Sequence, residues 1–269
     1  MTVPKFGLGT FRLKDDVVRR VVADALELGY RAIDTAQGYD NEGEIGEVLA
    51  ASGVPRADVY LTTKIKPANY RRDALLDSLR VSLEKLRVEQ VDLTLIHWPV
   101  PNGEVRPEEY LAALAEAREQ GLTREIGVSN FNVAGLRRAR EILGGVPLAT
   151  NQVEIHPYLQ NRRLVEFARS EGLHLTSYMT LAVGKVVDDL VLRDIAGSHG
   201  ANPAQVALAW ALAQGFSVIP SSTKRENLAG NFRAQDLQLT TEDMDRIAAL
   251  DVGEAARIAN PESARPVWD

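Results

Sequence analysis

Apolar residues recur along this chain in two alternating rhythms, one at helical spacing and one in short runs that are apolar throughout, which predicts a repeated helix-and-strand unit. Over residues 15–28 the positions Val17, Val18, Val21, Val22, Ala25 and Leu26 share a helical face, Gly29 is placed to end the helix, and YRAIDT follows as a strand. A helix around Ile45, Val48 and Leu49 ending near Gly53 precedes VYLTTK, and Leu75, Leu76, Leu79, Leu83 and Leu86 precede VDLTLIHW. Pro107 opens a helix through Tyr110, Leu111 and Leu114 that Gly121 closes ahead of REIGVSN. A helix through Leu136 and Ile142 leads to LATNQVE, and one with Leu164, Val165 and Phe167, ended by Gly172, leads to LHLTSY. The longer interval before FSVIP holds two helical pieces, the second capped by Asn202 with Pro203 in its first turn. The eighth strand is expected at residues 232–237, followed by a helix capped at Thr240 with Met244, Ile247 and Leu250 inward.

Strands that are apolar throughout and separated by amphipathic helices imply a parallel sheet covered by helices, because each parallel crossover needs a dozen or more residues. Eight such units suggest closure into an α/β (β/α)8 TIM barrel, one domain over residues 1–269. An open doubly wound sheet binding a dinucleotide would carry GxGxxG between its first strand and helix. Gly7 and Gly9 form only GLG, followed by Thr10, Phe11 and Arg12, with no third glycine.

Composition narrows the chemistry. Thirty-one basic against 37 acidic side chains, a net charge of -6, are spread without a basic block, so no nucleic-acid partner is expected. The absence of cysteine removes disulfides and thiolate nucleophiles. With no leader-like start and no long apolar run, the chain is expected to be cytoplasmic, without a membrane partner.

Polar side chains gather at the C-terminal ends of the predicted strands: Asp34, Lys64, His97, Ser129 and Asn130, Gln152, Tyr178, and Ser221 just past VIP. In a (β/α)8 barrel those ends converge on the rim where active sites lie. Taken singly, Asp34 reads as a cap or turn aspartate, Lys64 as a lysine reaching water, His97 as a core histidine and Tyr39 as a turn tyrosine. Together, an acid, a base, an imidazole and a phenol at three neighbouring strand ends are hard to explain by packing, because buried charges are costly unless paired. Asp34 and Lys64 supply that pairing. A tyrosine is protonated at neutral pH, and a cation beside its oxygen favours the phenolate, so Lys64 is expected to make Tyr39 a better proton donor. A neutral His97 would donate a hydrogen bond to a carbonyl oxygen and orient it. No nucleophile sits in the cluster and no metal-ligand set is apparent, which points to hydride from a cofactor. A Schiff-base aldolase using Lys64 is the rival, but it needs a neutral amine, which Asp34 opposes.

At this point the sequence resembles the aldo-keto reductases, and within them the bacterial type that reduces 2,5-diketo-D-gluconate. The resemblance runs from FGLGTF through YRAIDTAQGYDNE, LTTKI, LIHWP, IGVSNF, TNQVE and IPSSTKRENL to the terminal PVWD. It implies an aldo-keto reductase barrel that binds NADPH (NADP+) without a Rossmann fold, with Asp34, Tyr39, Lys64 and His97 as catalytic tetrad. It further implies Ser129, Asn130 and Gln152 on the nicotinamide carboxamide and Tyr178 stacked on its ring. Gly9, Thr10, Phe11 and Leu181 join the cofactor contacts, and Ser221, Ser222, Thr223, Lys224, Arg225 and Asn231 serve the adenosine end. There, amides at the following helix start favour an anion and Lys224 and Arg225 add charge for a 2′-phosphate. Many members carry lysine where this chain has Ser221 and arginine where it has Asn227. The short segment at residues 100–107 and the early end of the chain suggest trimmed covering loops. Phe11, Tyr39, His97 and Trp98 would then wall an open pocket for a small-molecule carbonyl substrate, diketogluconate, methylglyoxal or a simple aldehyde, in a monomer. A redox-sensing NADP(H)-binding protein with little turnover is the alternative on the same barrel.

Overall fold

The computed structural model describes residues 3–100 and 102–269. Among them, eight parallel strands lie side by side in chain order: β1 (Leu8–Gly9), β2 (Ala32–Asp34), β3 (Tyr60–Ile65), β4 (Val91–Ile96), β5 (Thr123–Ser129), β6 (Asn151–Glu154), β7 (Leu175–Tyr178) and β8 (Ser217–Val218). The sheet closes on itself, since Gly7 N donates to Val218 O and Val218 N to Lys5 O, each at 2.9 Å. Between the strands run α1 (Asp15–Glu27), α2 (Glu42–Ala51), α3 (Arg72–Leu86), α4 (Pro107–Glu119), α5 (Val133–Leu143) and α6 (Arg162–Ser170), then α7 (Leu190–Ser198) and α8 (Pro203–Ala213) before β8. After it come α9 (Arg225–Phe232) and α10 (Thr241–Ala248). This is the (β/α)8 barrel, and no helix among the described residues is long and apolar enough to cross a membrane.

The helix ends follow their side chains. Asn202 and Thr240 cap α8 and α10 in reciprocal capping boxes with Gln205 and Asp243. Gly29 follows α1 with φ +98°, a left-handed conformation that costs any side chain.

One strand is elsewhere than expected. Residues 232–237 are the end of α9 and a 3₁₀ turn (Arg233–Asp236), and the missing strand is β1, which pairs Leu8 with Ile33 and Gly9 with Asp34. Every other predicted strand therefore moves up one place, and FSVIP becomes the eighth. A two-residue strand shows no period, and its glycine answers a close approach: a Cβ on Gly9 would lie 2.5 Å from Ile219 O.

The strand period of two sorts the side chains by face. Leu61 and Ile65 of β3 and Ile96 of β4 join the large core under the helices, whereas Ala32, Tyr60, Leu93 and Leu95 form a separate cluster inside the barrel. Counting by twos toward the C-terminal rim from Ala32 gives Asp34, from Tyr60 gives Thr62 and Lys64, and from Leu95 gives His97. One register thus carries an apolar plug at the bottom and titratable groups at the top.

Candidate active site

Asp34 and Lys64 meet at the top of the barrel as a buried ion pair, 5% and 0% exposed. The three ammonium hydrogens of Lys64 are all placed: Nζ donates to Asp34 Oδ1, to Thr35 O at 2.9 Å and to Tyr39 Oη at 3.4 Å. Asp34 is held on its other oxygen as well, where Gln152 Nε2 donates to Oδ2 at 2.8 Å. Tyr39 ends a 3₁₀ turn (Gln37–Tyr39), and Asp40 behind it turns left-handed at φ 49°, a conformation aspartate tolerates. Its ring lies 5.1 Å from Phe11 and meets His97 edge-on at 5.6 Å between centroids.

Electrostatics follow burial. Loss of water pushes the Tyr39 phenol well above its ordinary value, and the charge of Asp34 adds to the rise. The expected lowering by Lys64 is outweighed: desolvation sets the net direction, and the phenol is protonated near pH 7. Burial lowers Lys64, against the opposing pull of Asp34 and then Glu42. His97 falls to about 3, through burial and then the Lys64 charge, so its imidazole is neutral near pH 7. Turnover is therefore expected to show no limb from about pH 5 to 8 that belongs to His97; an ionisation near 6.5 that vanishes in His97→Gln would contradict a neutral imidazole.

A second polar chain joins β5, β6 and β7. Ser129 Oγ donates to Gln152 O at 2.7 Å, Asn130 Nδ2 to His97 O at 3.0 Å, and Tyr178 Oη to Asn130 Oδ1 at 2.7 Å. These bonds fix Asn130, whose φ of 65° is unusual for a side chain, and aim the Tyr178 ring. The side-chain oxygen of Gln152, Oε1, takes no hydrogen bond from the described residues, and Gln152 lines the cavity.

That cavity, of about 1020 Å³, unites most of the predicted residues. Its walls include Gly9, Thr10, Phe11, Tyr39, His97 and Trp98, together with Ser221, Ser222, Asn227, Asn231, Tyr178 and Leu181. Lys64 lies beneath the wall. Thr223, Lys224 and Arg225 are outside the lining, and Arg225 is bound instead to Asp24 and to Glu27 at 2.8 Å. The cations that do line the cavity are Arg12 and Arg233, neither in an ion pair among the described residues. Neither carries a sequence signal: Arg12 follows the aromatic of GLGTF and Arg233 falls in the stretch expected as a strand.

The uncovered pocket expected from the early end of the chain also needs correction, because the terminus folds back. Ala259 and Pro261 line the cavity, and Trp268 stands 6.5 Å from Trp98 with the Arg257 guanidinium 3.6 Å from its ring centroid. Glu154, at the end of β6, anchors this tail by accepting from Ile258 N and Ala259 N at 2.8 and 2.7 Å. Asp269 Oδ2 accepts from Val133 N at the start of α5, at 2.8 Å. A lone tryptophan before the last residue has no periodic pattern to announce that role.

Comparison with known proteins agrees with this geometry. A model of the Aldo/keto reductase family matches residues 5–252. The methylglyoxal reductase DkgB of Escherichia coli O157:H7 is 58% identical over 269 residues, which is 100% of both chains. A crystal structure of a candidate 2,5-diketo-D-gluconic acid reductase B superposes with a TM-score of 0.96 at 44% identity, covering 99% of this chain and 94% of its own. Gox0644, solved as a mutant in complex with NADPH, superposes with a TM-score of 0.90 at 35% identity, covering 96% of this chain and 93% of its own.

Proposed function

The chain belongs to the aldo/keto reductase family, and on that premise we propose that it reduces small aldehydes, ketones or dicarbonyls of the methylglyoxal or 2,5-diketo-D-gluconate type to alcohols, with Tyr39 as general acid. It is an NADP(H)-dependent oxidoreductase. We further take it as one barrel domain acting in the cytoplasm as a monomer.

The observation that carries the acid assignment is the direction of one hydrogen bond. Lys64 is a donor only, so its contact with Tyr39 Oη occupies a lone pair and leaves the phenol's own hydrogen free for the cavity. A carbonyl oxygen seated between Tyr39 and neutral His97 receives two hydrogen bonds, which polarises its carbon. NADPH, when bound, supplies the hydride that this carbon takes up. As negative charge develops on the carbonyl oxygen, Tyr39 gives it a proton, and the phenolate left behind faces the Lys64 ammonium, which Asp34 and Thr35 O already hold in place.

The residues fit the cofactor. The cavity is at the upper end of small-molecule site volumes. Gln152 Oε1 is available to an amide NH2, the Tyr178 ring offers a flat apolar face, and Ser221 and Ser222 stand before the N-terminus of α9. With Arg225 engaged by two carboxylates, the charge facing a 2′-phosphate is thinner than the sequence suggests. Ser221→Lys is expected to tighten NADPH binding roughly tenfold, about 1.4 kcal/mol, and to leave NADH nearly unchanged. Equal effects on both would remove the phosphate from that position.

The direct test is an NADPH-oxidation screen over methylglyoxal, diketogluconate and simple aldehydes, with NADH in parallel. Sustained turnover of a dicarbonyl supports the reductase. Tight NADPH binding with turnover of none of them favours the redox-sensing alternative.

A further inference from the structure

Behind β3 lies a carboxyl with no part in the scheme above. Glu42, the first residue of α2, is only 3% exposed. Its Oε1 accepts from Thr63 Oγ1 at 2.6 Å and its Oε2 from Ser82 Oγ of α3 at 3.2 Å. Ser82 Oγ, together with Ser78 Oγ, in turn accepts from Gln37 Nε2, at 3.3 and 3.1 Å. Gln37 Oε1 accepts from Lys66 N at 3.2 Å and from Asn69 Nδ2 at 2.9 Å, so this amide has both hydrogens and its oxygen engaged. Gln37 opens the turn that ends in Tyr39, and Thr63 is the neighbour of Lys64. One buried carboxyl therefore gathers hydrogen bonds that reach the first residue of the turn carrying Tyr39 and the residue before Lys64.

Burying a carboxyl is costly unless it is hydrogen-bonded, and here Thr63 and Ser82 supply those bonds. The side chains of Thr63 and Lys64 leave opposite faces of the strand, so Glu42 stands across β3 from the ammonium. Lys64 faces Asp34 from β2, Tyr39 from the turn and His97 from beyond β4, and the charge of Glu42 reaches it from the other side of the strand. Glu42 itself faces Lys85, which favours its charge, and Asp40, which opposes it; burial raises it and the Thr63 and Ser82 hydrogen bonds pull it back.

We propose that Glu42 is a positioning residue for the proton donor: across β3 from the Lys64 ammonium, it fixes the turn carrying Tyr39 against β3 and α3. The proposal rests on the Tyr39 and Lys64 reading given above. A negative charge that favours the ammonium shifts the loss of that ammonium to higher pH, so removing the charge must move the alkaline limb of turnover downward.

The experiment compares Glu42→Gln, Tyr39→Phe and the double variant by NADPH fluorescence titration and by kcat against pH with methylglyoxal. Glu42→Gln is expected to keep the NADPH Kd within about twofold, to lower kcat about tenfold and to move the alkaline limb down by about one pH unit, which is tenfold in the charged fraction of Lys64. In the Tyr39→Phe background it should cost nothing further, because both changes act on one step. An unmoved limb, or the same loss in both backgrounds, overturns the proposal. Should Glu42→Gln fail to fold, Thr63→Val decides instead: it cuts one hydrogen bond and keeps the charge, so kcat should fall with the limb in place, and wild-type kcat overturns the positioning role. Wild-type turnover by Tyr39→Phe alone sinks the underlying acid assignment, a result distinct from any failure of Glu42.

Discussion

Tyr39→Phe is expected to lower kcat by about 10²- to 10⁴-fold while the Kd for NADPH stays within about twofold. The substitution removes a single oxygen whose hydrogen-bond partner among the described residues is Lys64 Nζ, at 3.4 Å. The ring contacts with Phe11 and His97 survive it, so the wall of the cavity keeps its shape. Loss of the hydroxyl leaves the Lys64, Asp34 and Thr35 bonds intact, and the fold should be as stable as before to within about 0.5–1.5 kcal/mol, the worth of one ordinary hydrogen bond. The neutral His97 still orients a carbonyl, which predicts a nearly unchanged KM and isolates the loss in kcat. Since burial holds the phenol well above its ordinary value, Tyr39 should titrate at higher pH than a free tyrosine. Stopped-flow turnover with methylglyoxal alongside fluorescence titration measures both quantities, and wild-type rates in the variant would remove Tyr39 from the chemistry.

What the sequence discloses of this site depends on whether a residue's role is written in a local pattern. Asp34, Lys64 and His97 sit at the ends of apolar runs of fixed period, and a barrel strand whose lower residues fill the interior presents its last inward side chain to the rim. Strand period therefore places Asp34, Lys64 and His97 at one rim, whereas Tyr39, in the polar segment AQGYDNE, has only its neighbours to mark it. β1 lacks such a pattern: two residues cannot show a period, and Gly9 records only a close approach to Ile219. The tail is hidden for a different reason. Trp268 reaches Trp98 because Glu154 and Arg257 hold the segment, and those contacts join residues more than a hundred positions apart or depend on a turn that no periodicity predicts. Charge near the adenosine end misleads for the same reason, since Arg225 looks free until Asp24 and Glu27 of α1 are brought beside it.

The buried ion pair leads to the largest effect on stability. Lys64→Met nearly preserves side-chain volume but leaves Asp34 Oδ1, Thr35 O and Tyr39 Oη without their common donor, so an uncompensated carboxylate remains inside the barrel. Breaking a buried pair in this way costs about 3–5 kcal/mol, far above the median for an exposed pair. Gln152 Nε2 still donates to Asp34 Oδ2, which places the expected loss at the lower end of that range. Adding Asp34→Asn removes the stranded charge, so the double variant should recover much of the lost stability, because an apolar or neutral replacement of a buried pair is often tolerated. Turnover should not return with it. If Tyr39 is the proposed general acid, nothing compensates its phenolate without the ammonium, and kcat is expected to remain at least about 10²-fold down in both variants. Urea unfolding and steady-state kinetics on the same samples separate the two roles: a double variant that recovers stability and activity together would show that the pair serves packing alone, and a Lys64→Met variant as stable as wild type would show that Asp34 is not stranded without it.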